Sequence, residues 1–143
     1  MTILIDATAI ILLILSWWIA ASSYPHLPAV IPSHFNLKGV ADGWAGRWTI
    51  FLSPTIGTFI YALNSWVLTR PKVISQTPGG ASIPLHLLTL ELAGLFAYLT
   101  WRISEVALGR AEGLGRWFLP VTLLIIGSTV AWMTMAGKAN HLG

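Results

Sequence analysis

The sequence predicts an all-α membrane protein, a four-transmembrane-helix bundle with a structured Pro/Gly-rich loop between helices 1 and 2. Three observations carry that prediction. Of 143 residues, 55% are hydrophobic and only 9% charged, far from the roughly 25% charged residues of a soluble domain. Four apolar segments reach the roughly 20 residues that a helix needs to cross a bilayer. The prolines, glycines and polar side chains between the first two segments are packed into one stretch, Tyr24 to Trp44.

The first span is placed at 3–21. Ala20, Ala21 and Ser22 offer small residues near its end, but a signal peptide wants a positive n-region, and the only charged side chain near the start is Asp6. A span is therefore expected, with Asp6 reaching the interface and solvated. The second, third and fourth spans are placed at 48–68, 83–103 and 118–136. They leave two linkers of about 14 residues, Thr69 to Ser82 and Ser104 to Trp117, and no room for a soluble domain. Residues 1–143 thus form a single integral membrane domain.

Several function classes fall away. Without cysteine, disulfides, thiolate metal sites and cysteine nucleophiles are absent. The net charge of +3 comes from scattered loop cations and not from the Lys/Arg block that a nucleic-acid partner would call for. Lys38, Arg47, Arg110 and Arg116, with Arg102 at a helix end, lie on one side of the spans, and Arg70, Lys72 and Lys138 on the other. This excess slightly favours both termini outside; a margin of one or two residues leaves either orientation open. Trp17, Trp18, Trp44, Trp48, Trp66, Trp101 and Trp117 cluster near span ends, as interfacial anchors do.

Inside the spans, Glu91, Gly94, Tyr98, Arg102 and Glu105 share one face of the third helix, and Pro54, Gly57, Tyr61 and Asn64 share one face of the second. The two stripes are expected to face each other. One reading makes them interhelical glue worth on the order of 1 kcal/mol per contact. The other makes Glu91 part of a proton, ion or ligand site, because an unpaired carboxylate in hydrocarbon is costly. His86 opens the third span. Pigment or haem ligation through its imidazole has no second span histidine and no CxxCH behind it, so contact with water or headgroups is expected. Thr122, Gly127, Ser128, Thr129 and Thr134 suit close packing of the fourth helix. "GRAEGLGR", between the last two spans, reads as a flexible loop touching anionic headgroups.

The stretch 22–47 is built to turn. Pro25, Pro28 and Pro32 push the residues before them into extended geometry. Asn36 to Gly39 fits a four-residue turn, and Asp42-Gly43 a second. His26, His34 and Asp42, with Asn36, are weak candidates for a divalent metal. Loop residues eight apart have no enforced geometry and there is no HExxH pairing, so no metal or other cofactor is predicted.

"YPHLPAVIPSHFNLKGVADGWAGRW" resembles the signature of the bacterial DUF1648 domain, the N-terminal module of SdpI-like toxin-immunity membrane proteins. The pattern LP-x-x-IP-x-H-x-N-x-x-G-x-x-D-G-W, closed by a basic residue, is met by Leu27, Pro28, Ile31, Pro32, His34, Asn36, Gly39, Asp42, Gly43, Trp44 and Arg47. The resemblance implies a multi-pass protein of the bacterial cell membrane, non-enzymatic, of the immunity or regulatory type, that binds a peptide or a membrane-protein partner. An accessory subunit of a larger integral-membrane complex and a small transporter working through Glu91 and Arg102 are the alternatives. The motif residues are expected first to hold their loop in shape and second to touch a ligand.

Overall fold

A computed structural model describes residues 2–70 and 82–141. Its helices are α1 (Thr2–Ser23), α2 (Leu52–Leu68), α3 (Ser82–Ala107) and α4 (Phe118–His141), and four helical segments are long and apolar enough to cross a membrane. Each observed helix covers its predicted span or nearly so, with α2 entered through a 3-10 turn, Arg47–Phe51. Pro84 and Pro120 each stand third in α3 and α4. The first turn's N–H groups have no intrahelical acceptor, so a residue without an N–H costs nothing there. At the far end of α3, Gly109 N donates to Val106 O (3.1 Å) and Arg110 N to Glu105 O (2.8 Å). These two bonds are the Schellman stop that satisfies the last carbonyls.

The segment between α1 and α2 is not the loop expected, and the fold is not all-α. It forms an antiparallel hairpin of β1 (Val30–Phe35) and β2 (Ala41–Gly46), preceded by a 3-10 turn at Tyr24–His26. Pro32, paired with Trp44, is admissible because in a two-stranded sheet each strand has a free edge. The Asn36–Gly39 turn is present: Gly39 N donates to Asn36 O (2.8 Å), and Asn36 Oδ1 accepts from Lys38 N (2.9 Å) and Val40 N (3.1 Å). Gly39 has φ +75°, the left-handed conformation that closes a type I hairpin turn. The second expected turn, Asp42-Gly43, lies instead within β2, where the register shifts between Pro32 and His34 and again between His34 and Phe35. A lone hairpin is marginal in water. This one buries Ile31 and Leu27 against Ala20 and Ile50.

The tightest helix pair is α1 with α3. Ala9, Leu13, Ser16 and Ala20 form the buried stripe of α1; Thr89, Ala93, Ala97, Thr100 and Ser104 form that of α3. Such stripes of small residues let two backbones approach. Asp6 meets His86 and Ser16 meets Phe96, so the helices run parallel with a constant offset of 80 residues. Pairings of Asn64 with Thr89 and Ser53 with Phe96 make α2 antiparallel to α3, and those of Thr129 with Glu91 and Phe118 with Tyr98 do the same for α4. The order is up-down-up-down. It places the hairpin and the 108–117 connection on one face and the start of α1 on the other.

Three helices meet at one carbonyl. Thr100 Oγ1 (2.8 Å) and Ser53 Oγ (3.0 Å) both donate to Phe96 O, while Ser16 Oγ lies 2.8 Å from Thr100 Oγ1. Gly57 permits this approach, since a Cβ there would come within 3.1 Å of both Leu13 and Phe96. By contrast α4 is thinly packed, with 6% of its most apolar window buried against 33% for α3.

Candidate functional site

The motif residues form a cap over one end of the bundle. Two register shifts set its chemistry. They bring His34 opposite Gly43 and let Asp42 turn back, so that His34 Nδ1–H donates to Asp42 Oδ1 at 2.5 Å on the exposed side of the hairpin. Bulges commonly re-aim a side chain in this way. Gly43 is dictated by the same crowding, because a Cβ on it would stand 2.8 Å from His34 Cβ. Arg47 closes the segment with its N–H on Ala29 O (3.0 Å) and its guanidinium over the Tyr24 ring at 4.9 Å. Trp44 and Trp48 remain 59% and 60% exposed, and Leu37, at the tip, 85%.

The tip is held from below. Leu114 N donates to Gly39 O (2.8 Å), and Val40 bridges Gly113 in antiparallel fashion. This 113–114 segment is itself fastened to α3: Tyr98 Oη donates to Leu114 O (2.7 Å), and Arg102 donates from Nε (2.9 Å) and Nη2 to Gly113 O. Tyr98 also stacks on Phe118 with centroids 5.1 Å apart. The "GRAEGLGR" segment thus includes a fixed underlay for the hairpin, where a flexible headgroup loop was expected.

The two intramembrane stripes do not face each other. Asn64 donates to Thr89 Oγ1 (3.1 Å), on the α1- and α2-facing side of α3. Tyr61 packs against Ala9, Leu13 and Ala93. Glu91, Tyr98 and Arg102 point instead to α4 and the underlay. About 200° of helix separates positions 89 and 91, so once the small-residue face is taken by α1 and α2, the larger polar groups are turned away. Glu91 Oε1 accepts from Thr129 Oγ1 at 2.5 Å, and its Oε2 is buried without a partner among the described residues. Glu91 also lines a groove of about 450 Å³ between α3 and α4, with Tyr98, Leu95, Trp117, Phe118 and Ile125 among its walls.

Asp6 and His86, read from sequence as separate interfacial groups, pair across α1 and α3: His86 Nδ1–H donates to Asp6 Oδ1 at 2.6 Å. Their offset of 80 is that of Ser16 and Phe96, so the small-residue stripes were the signal that could have found the pair. Among the described residues no three His, Asp or Glu side chains converge as a metal site. His26 is turned to its own helix end, its Nδ1 3.3 Å from Ser22 O. Lys72 lies outside the described residues.

Four hydrophobic helices, arranged up-down-up-down beneath a docked hairpin, define a multi-pass membrane protein. Residues 11–58 match the family described as "Domain of unknown function (DUF1648)", so the chain carries this domain from the middle of α1 through the hairpin into α2. No curated protein and no solved structure matches the chain. The matched segment contains every motif position from Leu27 to Arg47. Its residues have mechanical duties: Ile31 and Pro32 fill the base, Asn36 and Gly39 make the turn, His34, Asp42 and Gly43 fix the register, and Arg47 fastens the exit.

Proposed function

We propose that this is a non-enzymatic membrane protein of the toxin-immunity or regulatory kind in the bacterial cell membrane, whose hairpin presents a preformed surface to a peptide or membrane-protein partner. One observation carries the reading. The polar motif residues are spent on rigidity, and that rigidity holds Leu37, Trp44 and Trp48 exposed on the outer side of a docked cap. Exposed aromatic anchors on a preorganised frame are what binding surfaces supply. The same tryptophans also suit the membrane interface, which keeps the surface at the level where a membrane-borne partner would arrive.

Photo-crosslinking in native membranes tests this. A photoreactive residue at position 37 is expected to capture one discrete peptide or membrane protein, while the same residue at position 14, on the exposed side of α1, captures lipid. Lipid adducts alone at both positions would remove the reading. Co-purification of the captured protein at fixed stoichiometry, with no effect of hairpin substitutions, would favour an accessory subunit instead.

A further inference from the structure

The groove between α3 and α4 lies apart from the hairpin surface and has its own chemistry. Its walls are aliphatic and aromatic: Leu95, Val121, Ile125 and Ile126, with the stacked Tyr98–Phe118 pair at the end nearer the cap. Glu91 stands two helical turns away, about 10 Å along the axis. Thr129 satisfies one carboxylate oxygen and leaves the other buried without a partner among the described residues. No described Lys, Arg or His is paired with Glu91, and Arg102, the cation nearest to it along α3, is turned to Gly113 O. A carboxylate at membrane depth needs a donor or a positive charge, and here the chain provides half of what it needs.

From this geometry we infer that the groove binds a lipophilic organic cation, with the positive centre at Glu91 and the apolar body between α3 and α4. The stacked Tyr98–Phe118 wall, about 10 Å from Glu91, gives the apolar body of the same occupant an aromatic surface to pack on. A volume of about 450 Å³ falls in the range of small-molecule sites, roughly 300–1,000 Å³. A bare metal ion would require several oxygen ligands, whereas one carboxylate in a hydrocarbon wall offers too few. An anionic lipid headgroup would be repelled. The groove is walled on one side by α4, which buries little of its own surface, so an occupant can enter from the hydrocarbon, where such a cation partitions.

The test uses the full chain in phosphatidylcholine nanodiscs, titrated with tetraphenylphosphonium and read by calorimetry. Saturable one-site binding is expected. Glu91→Gln should weaken it roughly tenfold or more, and neutral triphenylphosphine oxide should bind as weakly to the unaltered protein. Leu95→Trp fills the groove while keeping the carboxylate, and should also abolish binding; it decides the matter if Glu91→Gln does not fold. Absence of saturable binding, equal affinity in Glu91→Gln, or equal affinity for the neutral compound overturns the inference. So does a dimer of the unaltered protein that Leu95→Trp dissociates, since a second copy would then be the occupant. Crosslinking at position 37 is unaffected by any of these results, so the two readings fail separately.

Discussion

Replacing Gly43 by alanine places a methyl group where His34 already stands. The new Cβ would be 2.8 Å from His34 Cβ and 3.6 Å from His34 N. Carbon atoms prefer about 3.5–4.0 Å, so the strands must separate by nearly 1 Å at a point where two bulges already fix the register. Overpacking of this kind costs about 1–3 kcal/mol. Expressed as local opening of the hairpin, that is a roughly 5- to 150-fold acceleration of amide exchange. The assay is hydrogen exchange of peptides covering 30–46 in detergent micelles, with α3 peptides as the internal reference. A second substitution isolates the cause. His34→Gly removes the clashing Cβ, so Gly43→Ala should be much milder in that background than alone; His34→Ala keeps the Cβ and should leave its effect intact. Equal exchange in Gly43→Ala and the unaltered protein, or equal effects in both histidine backgrounds, would refute the argument.

The underlay gives a second prediction. Arg102→Met deprives Gly113 O of its two guanidinium donors, and losing charge-assisted bonds at a half-buried site costs about 1–3 kcal/mol. Proteolysis within 108–117 should accelerate, and Arg102→Lys should restore only part of the protection, because one ammonium cannot reproduce the fork; resistance equal to the parent would count against it. At the other end of the bundle, Asp6→Ala and His86→Ala should be non-additive in a double-mutant cycle by about 1 kcal/mol, read from thermal unfolding, whereas strict additivity would mean the 2.6 Å contact carries no energy. In the centre, Gly57→Leu should force α2 off Leu13 and Phe96 and lower the melting temperature more than Gly127→Leu, whose added Cβ meets nothing within 4 Å. Equal melting of the two variants would contradict the packing described.

The four spans were legible because hydrophobic length is a property of the chain alone: a helix in lipid satisfies its own backbone, so about 20 apolar residues in a row suffice to specify it. The turn at Asn36–Gly39 was legible for a similar reason, since an asparagine side chain and a glycine three residues later act within one turn. The motif pattern was also in the sequence, although its meaning was not. Asp42-Gly43 has the local chemistry of a turn, and it became strand because Asp42 found His34 across the hairpin and Gly43 made room for the same histidine. Neither fact is encoded nearby in the chain.

Partner choice among the helices was likewise decided by tertiary structure. Helical periodicity shows which residues share a face but says nothing about which helix that face will meet. Polar residues on α2 and α3 suggested a facing pair; packing gave the close contact to the small residues of α1 and α3, whose backbones can approach. Glu91 was then left on the outer side with Thr129 and a groove. The sequence by itself determined a four-helix membrane chain carrying the DUF1648 pattern. Only the tertiary structure turned that pattern into a docked hairpin, joined Asp6 to His86, and left one buried carboxylate oxygen unpartnered among the described residues, because each depends on residues brought together across 8, 80 or 38 positions of sequence by packing that no local rule contains.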